Sequence, residues 1–184
     1  MDELFKETED RIQKAVKATA HELAMVRTGR ANTALLDRIV VEAYGTTMPL
    51  NRVANVALGD ATTILIKPFD KGNIGAIEKA IQKSDLGLTP QSDGQIIRLN
   101  VPPLSREGRQ DMVKRIKQMV EDGKVQVRNI RRESIEKLRK MEKAGDLSED
   151  ENEVGQERIQ KFTDSGIEEL EKVFKKKEQE IVTI

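Results

Sequence analysis

The stretch REGRQDMVKRIKQMVEDGKVQVRNIRRESIEKLRKMEK, from Arg106 to Lys143, decides the architecture, because one apolar stripe runs its whole length without a proline. Val113, Ile116, Val120, Val127, Ile130, Leu138 and Met141 recur at helical spacing, so the pattern predicts a single helix over these residues. At about 1.5 Å per residue it is roughly 55 Å long. Gly108 in its first turn and Gly123 within it each cost roughly 1 kcal/mol relative to alanine in a helix, so some local irregularity is expected there. A helix of this length with one apolar face needs partners to bury that face.

Those partners lie at the two ends of the chain. Ala144-Gly145-Asp146 ends the long helix, and Ser148-Glu149-Asp150-Glu151 starts another with a capping-box pattern. Its stripe is Ile159, Phe162, Gly166, Leu170, Val173 and Ile181, and the short loop makes the two helices antiparallel neighbours. Before the long helix, Phe5, Ile12, Val16, Thr19, Leu23 and Val26 make a first stripe of roughly 25 residues. It stops near Thr28-Gly29-Arg30, where glycine takes the left-handed cap. Three one-faced helices make a bundle.

Between the first and second of these helices the composition changes. Residues 31–104 hold 14 charged residues in 74, the flanks 50 in 110, and all five prolines and six of the twelve glycines fall in the middle. Long helices cannot persist there. Strands are expected over Arg38–Tyr44, Asn55–Leu58, Thr63–Pro68 and Gln95–Val101. A short helix capped by Asn73 runs Ile74–Ser84, with Ile74, Ile77, Ala80 and Ile81 inward and Gly87 beyond its end. The fold class is therefore α+β: a long antiparallel three-helix bundle, residues 1–30 and 105–184, carrying an inserted β/α/β domain, residues 31–104. The crossings Arg30-Ala31 and Leu104-Ser105 are adjacent and make a hinge.

Composition narrows the function. Lys plus Arg equals Asp plus Glu at 32 each, so net charge alone points to neither nucleic acid nor membrane. Without cysteine there is no disulfide or thiolate chemistry, and no apolar run of about 18 residues marks a membrane span. The acidic start Met1-Asp2-Glu3 has no targeting character, so a cytoplasmic protein is expected. No phosphate-loop, zinc-protease or serine-hydrolase signature occurs, His21 is the one histidine, and the acidic run Asp146–Glu153 has Glu151 where a calcium loop needs glycine. The chain reads as a non-enzyme with no cofactor or metal.

Charge becomes informative once it is localised. Residues 106–143 carry 13 Lys or Arg against 7 Asp or Glu, and residues 144–184 carry 6 against 12. Arg106, Arg109, Lys114, Arg115, Lys117, Lys124, Arg128, Arg131 and Arg132 form a basic stretch on the long helix. Arginine forks suit phosphates and stack on bases, which favours RNA. The alternative is that these cations pair with the acidic last helix. From the charged helices alone, a chaperone or scaffold module binding protein clients is also open.

A set of ordered motifs then narrows the choice: Val26-Arg27-Thr28-Gly29-Arg30-Ala31, Ile39-Val40-Val41-Glu42, Tyr44-Gly45-Thr46, Ser84-Asp85-Leu86-Gly87-Leu88, Pro102-Pro103-Leu104 and Val127-Arg128-Asn129-Ile130-Arg131-Arg132. Spread over nearly the whole chain, they resemble the ribosome recycling factor family. The resemblance implies an L-shaped, monomeric, non-catalytic protein that works after termination with elongation factor G, whose GTP supplies the energy. It also implies contact with large-subunit ribosomal RNA through Arg27, Gly29 and Arg30 and through Arg109, Arg128, Arg131 and Arg132, with Arg131 foremost. The inserted domain, residues 31–104, would move on the hinge Arg30, Ala31, Leu104 and Ser105.

Overall fold

A computed structural model describes residues 1–183. In chain order the elements are α1 (Asp2–Ala24), β1 (Val40–Ala43), β2 (Thr46–Pro49), α2 (Leu50–Val53), β3 (Ala54–Leu58), β4 (Thr63–Pro68), α3 (Ile74–Lys83), β5 (Pro90–Ser92), β6 (Ile97–Asn100), α4 (Arg106–Lys143) and α5 (Glu149–Val182). They form two compact units, Met1–Leu23 with Val113–Gln179, and Ala24–Met112 with the chain from Glu180 on. A long helical bundle and a small β/α/β domain are both present, as the stripes and the composition shift predict.

In the first unit the helix register can be read from side-chain pairs. Thr8 Oγ1 meets Ser134 Oγ at 2.8 Å, and eleven residues along α1 Thr19 faces Gly123, eleven residues back along α4. The two helices are therefore antiparallel. Likewise Gly155 and Gly166 of α5 face Leu138 and then Val127, so α5 is antiparallel to α4. Each glycine marks a close approach. A Cβ on Gly123 would stand 2.7 Å from Thr19 Oγ1, and one on Gly166 would stand 2.7 Å from Ile12 Cγ2. The helix-propensity cost of Gly123 is thus set against a contact that no larger residue permits.

The polar groups inside the bundle are satisfied. Thr8, Ser134 and Thr163 are all buried, and Thr8 and Thr163 donate to the carbonyls four residues back, Leu4 O at 2.7 Å and Ile159 O at 2.9 Å. Such pairing removes the cost of burying a hydroxyl.

The start of α5 is the predicted capping box. The Ser148 backbone N–H and hydroxyl both donate to Glu151 Oε2, at 2.8 and 2.7 Å, and the Glu151 N–H donates to Ser148 Oγ at 3.3 Å. The Ser148 amide, and after it the hydroxyl, hold the Glu151 carboxyl below the usual glutamate range. A folded-state pKa below the unfolded one stabilises above the carboxylate range and is lost as pH falls through it. Ser148→Ala keeps the amide and loses the hydroxyl, so it is expected to lower the thermal midpoint by more near neutrality than in acid, where only the lost Glu151 N–H to Ser148 Oγ bond still separates it from the parent protein. Melts of the two proteins across the acid range check this.

The second unit contains a four-stranded antiparallel sheet, order β3-β4-β6-β5, and a separate β1-β2 hairpin. Alternation sends Ile64 and Ile66 of β4 and Ile97 and Leu99 of β6 inward, all without solvent exposure, to join Ile77 and Ile81 of α3. Asn73 does not cap α3 as expected. A single 3-10 turn, Lys71–Asn73, leads into the helix, so Asn73 already has helical dihedrals, and its side chain donates to Tyr44 Oη at 3.1 Å. Asp70 takes the capping role for that turn by accepting from Gly72 N at 2.9 Å.

The 3-10 turn Thr33–Leu36, β2, α2 and β5 are absent from the sequence reading, and α1 ends at Ala24, before the stop expected near Thr28-Gly29-Arg30. The hairpin turn is Tyr44-Gly45, both at positive φ (53° and 75°), the two-residue geometry that matches strand twist. Tyr44 is held there by donating to Asp70 Oδ2 at 3.2 Å. The stretch Gly87–Gly94 contains β5, and a turn follows it with Gly94 at φ 86°.

Candidate functional site

The basic residues singled out by sequence fall into two groups, one in each unit. In the first unit, Arg128, Arg131 and Arg132 lie on α4, Arg132 exposed and the other two half-buried. Lys124, Arg128 and Arg131 follow one another at steps of four and three, which places them on one flank of the helix. Among the described residues none of the three arginines forms an ion pair. Arg131 Nη1 instead donates to the neutral Gln160 Oε1 of α5 at 3.1 Å, and Gln160 Nε2 donates to Asp164 Oδ1 at 2.7 Å.

Lys124 is different. Its Nζ lies 3.1 Å from Glu121 and 3.2 Å from Glu171 of α5. Burial pulls its pKa down, but the two carboxylates outweigh that, and the net shift is upward. The alternative of cations neutralised by the acidic last helix therefore holds for Lys124 and fails for the arginines.

In the second unit, two carbonyls of the irregular segment Pro102-Pro103-Leu104 are met by arginines. Arg27 Nη2 donates to Pro102 O at 3.5 Å and Arg109 Nη1 to Leu104 O at 3.3 Å. Main-chain carbonyls outside regular structure need such donors. Arg27 also keeps a buried Nε without a partner. Ser105 caps the start of α4 by accepting from Gly108 N at 3.0 Å, and Arg30 is exposed.

Gly29 sits at φ 81°, and a Cβ there would stand 3.0 Å from Leu104 N, so both conformation and space demand glycine. Gly29→Ala is expected to cost about 1–3 kcal/mol from the left-handed strain, before any clash with the Leu104 backbone. Equilibrium urea unfolding measures it.

Gln160, Asp164 and Glu171 were not singled out in the sequence. Only the α4–α5 register brings them to the basic flank, and no local motif marks them. Among the described residues there is no group of three or more His, Cys, Asp or Glu placed to hold a metal, and no helix is long and apolar enough to cross a membrane. His21 is exposed on α1.

Comparison with known proteins bears on what these cations serve. The family model described as Ribosome recycling factor matches residues 19–182. A ribosome-recycling factor of Thermosynechococcus vestitus is 51% identical over 178 residues, covering 97% of this chain and 98% of that protein. One of Oleidesulfovibrio alaskensis is 50% identical over 184 residues and covers 100% of both. A solution structure of a ribosome recycling factor superposes with a TM-score of 0.81 at 38% identity, over 100% of this chain and 97% of the other. A second structure is of the T. thermophilus ribosome recycling factor and the E. coli elongation factor G bound to the E. coli post-termination complex. It matches with a TM-score of 0.71 at 45% identity, over 98% of each chain. Family model, full-length identity and fold agree, and the chain belongs to the ribosome recycling factor family.

Proposed function

We propose that the chain recycles ribosomes: it binds the post-termination ribosome and, with elongation factor G and GTP, promotes its separation into subunits with release of mRNA and deacylated tRNA. The observation that carries this reading is family membership over the whole given chain joined to Arg128, Arg131 and Arg132 on α4, which have no ion pair among the described residues. Unpaired guanidinium groups are what phosphate recognition requires, and they fix a protein's register on RNA without reading its sequence. The contacts assigned to large-subunit ribosomal RNA are Arg27, Gly29, Arg30, Arg109, Arg128, Arg131 and Arg132.

In this reading residues 1–30 and 105–184 anchor the protein, and residues 31–104 move about Arg30, Ala31, Leu104 and Ser105. The chain makes and breaks no covalent bond. GTP belongs to the partner, and the place of action is the cytoplasm. The test is light scattering of post-termination ribosomes with elongation factor G and GTP. Addition of the chain should produce a fall in scattering as subunits separate. A trace that is the same with and without the chain overturns the proposal.

A further inference from the structure

The seam between α4 and α5 holds two half-buried cations by different chemistry. Lys124 is gripped by two carboxylates, Glu121 and Glu171, which more than cancel its charge. Two helical turns further on, Arg131 is gripped by an amide oxygen. Both contacts join the helices. Only the second leaves a positive charge uncancelled.

The amide has a defined orientation. Gln160 donates through Nε2 to Asp164 Oδ1, one turn along α5, which turns Oε1 toward Arg131. The flipped amide would set donor against donor at the guanidinium and acceptor against carboxylate at Asp164. A guanidinium has five N–H donors in a rigid fork. Gln160 accepts from Nη1, and among the described residues no other hydrogen bond occupies the guanidinium.

We propose that Gln160 is a positioning residue for ribosome binding, holding the Arg131 guanidinium in place for an RNA phosphate while leaving its charge intact. The inference rests on the assignment of Arg131 to the RNA-contacting surface. It deepens that assignment by naming a residue of α5 that touches no RNA itself. Glutamate at 160 loses the exposed bond to Asp164 but keeps Arg131 in place through a stronger acceptor, so a purely structural Gln160 would leave ribosome binding unchanged after that substitution, with the Asp164 cost read in the urea midpoint. A positioning Gln160 would not, because a carboxylate cancels the charge it presents.

The test is binding of the full chain to post-termination ribosomes over a range of salt concentrations, for the parent protein and for Gln160→Glu, Gln160→Met and Arg131→Ala. Gln160→Glu should bind roughly tenfold more weakly at low salt, with a slope of log affinity against log salt shallower by about 0.7–0.9, the value for one phosphate contact. Gln160→Met keeps the charge and loses the hold, so it should bind roughly threefold more weakly from added side-chain freedom, with the slope unchanged. Equal urea midpoints across the set would exclude a folding effect. Parent-like affinity and slope in Gln160→Glu, with Arg131→Ala impaired, overturns the role of Gln160 alone. Parent-like binding by Arg131→Ala overturns the assignment of Arg131, and the role of Gln160 with it.

Discussion

Arg131→Ala is expected to weaken binding to post-termination ribosomes by roughly ten- to a hundredfold, the range for one charge-assisted hydrogen-bonding group. The size follows from the setting of the side chain. Arg131 is half-buried, held by Gln160, and free of any ion pair among the described residues, so little side-chain entropy remains to be lost when it meets a phosphate. Its removal takes away one hydrogen bond to a neutral amide, so helicity and the urea midpoint should barely move. Affinity and the rate of subunit separation should fall together. Arg131→Lys keeps the charge without the fork and should lie between the two. Normal separation by an alanine variant of unchanged helicity would remove Arg131 from the contact surface.

The parts of this chain that were legible in its sequence are those whose signal is local and long. The limits of α4, Arg106–Lys143, follow from a stripe with no proline inside it and from Ala144-Gly145-Asp146 after it. The start of α5 follows from the reciprocal Ser148 and Glu151 bonds. Strand β4, Thr63–Pro68, alternates cleanly because one of its faces lies on the core. By contrast β2 is mostly exposed, ends in Pro49 and has no alternation to read. Its turn depends on Tyr44 at positive φ, a conformation held by Asp70 and Asn73, some thirty positions away. That is a tertiary cause, and no window along the chain contains it.

The same division runs through the candidate site. The arginines were visible as a basic stretch, but whether each was neutralised depended on a register that periodicity does not specify. Lys124 and Arg131 looked alike in the sequence. Across the seam one met Glu171 and the other Gln160. Arg27 and Arg109 were read only as cations, whereas each also donates to a main-chain carbonyl of the segment Pro102–Leu104. A helical glycine was similarly ambiguous. Gly123 read as a local weakness in α4, and it is the place where Thr19 fits.

Leu138→Ala is the substitution expected to cost most in stability, about 2–5 kcal/mol. Leu138 has no solvent exposure and packs with Leu4, Phe5 and Ile159, one residue or more from each helix of the bundle. Its Cδ1 stands 3.0 Å from where a Cβ on Gly155 would be, so on that side the wall is backbone, and filling the space falls to Phe5 and Ile159. Phe5 is constrained as well, with the Arg158 guanidinium 4.5 Å from its ring centroid. A site that cannot collapse keeps its cavity, which places the loss toward the upper part of the range. For a chain of this size that corresponds to a fall in Tm of roughly 5–15 °C. Amide exchange gives the sharper reading. Protection should drop in α1, α4 and α5 around Leu138, while Ile64, Ile66, Ile97 and Leu99, which sit in the separate core of the second unit, keep theirs. A loss below about 1 kcal/mol would mean that Phe5 or Ile159 moves in to fill the space, and equal loss of protection in both cores would mean that the two units unfold as one.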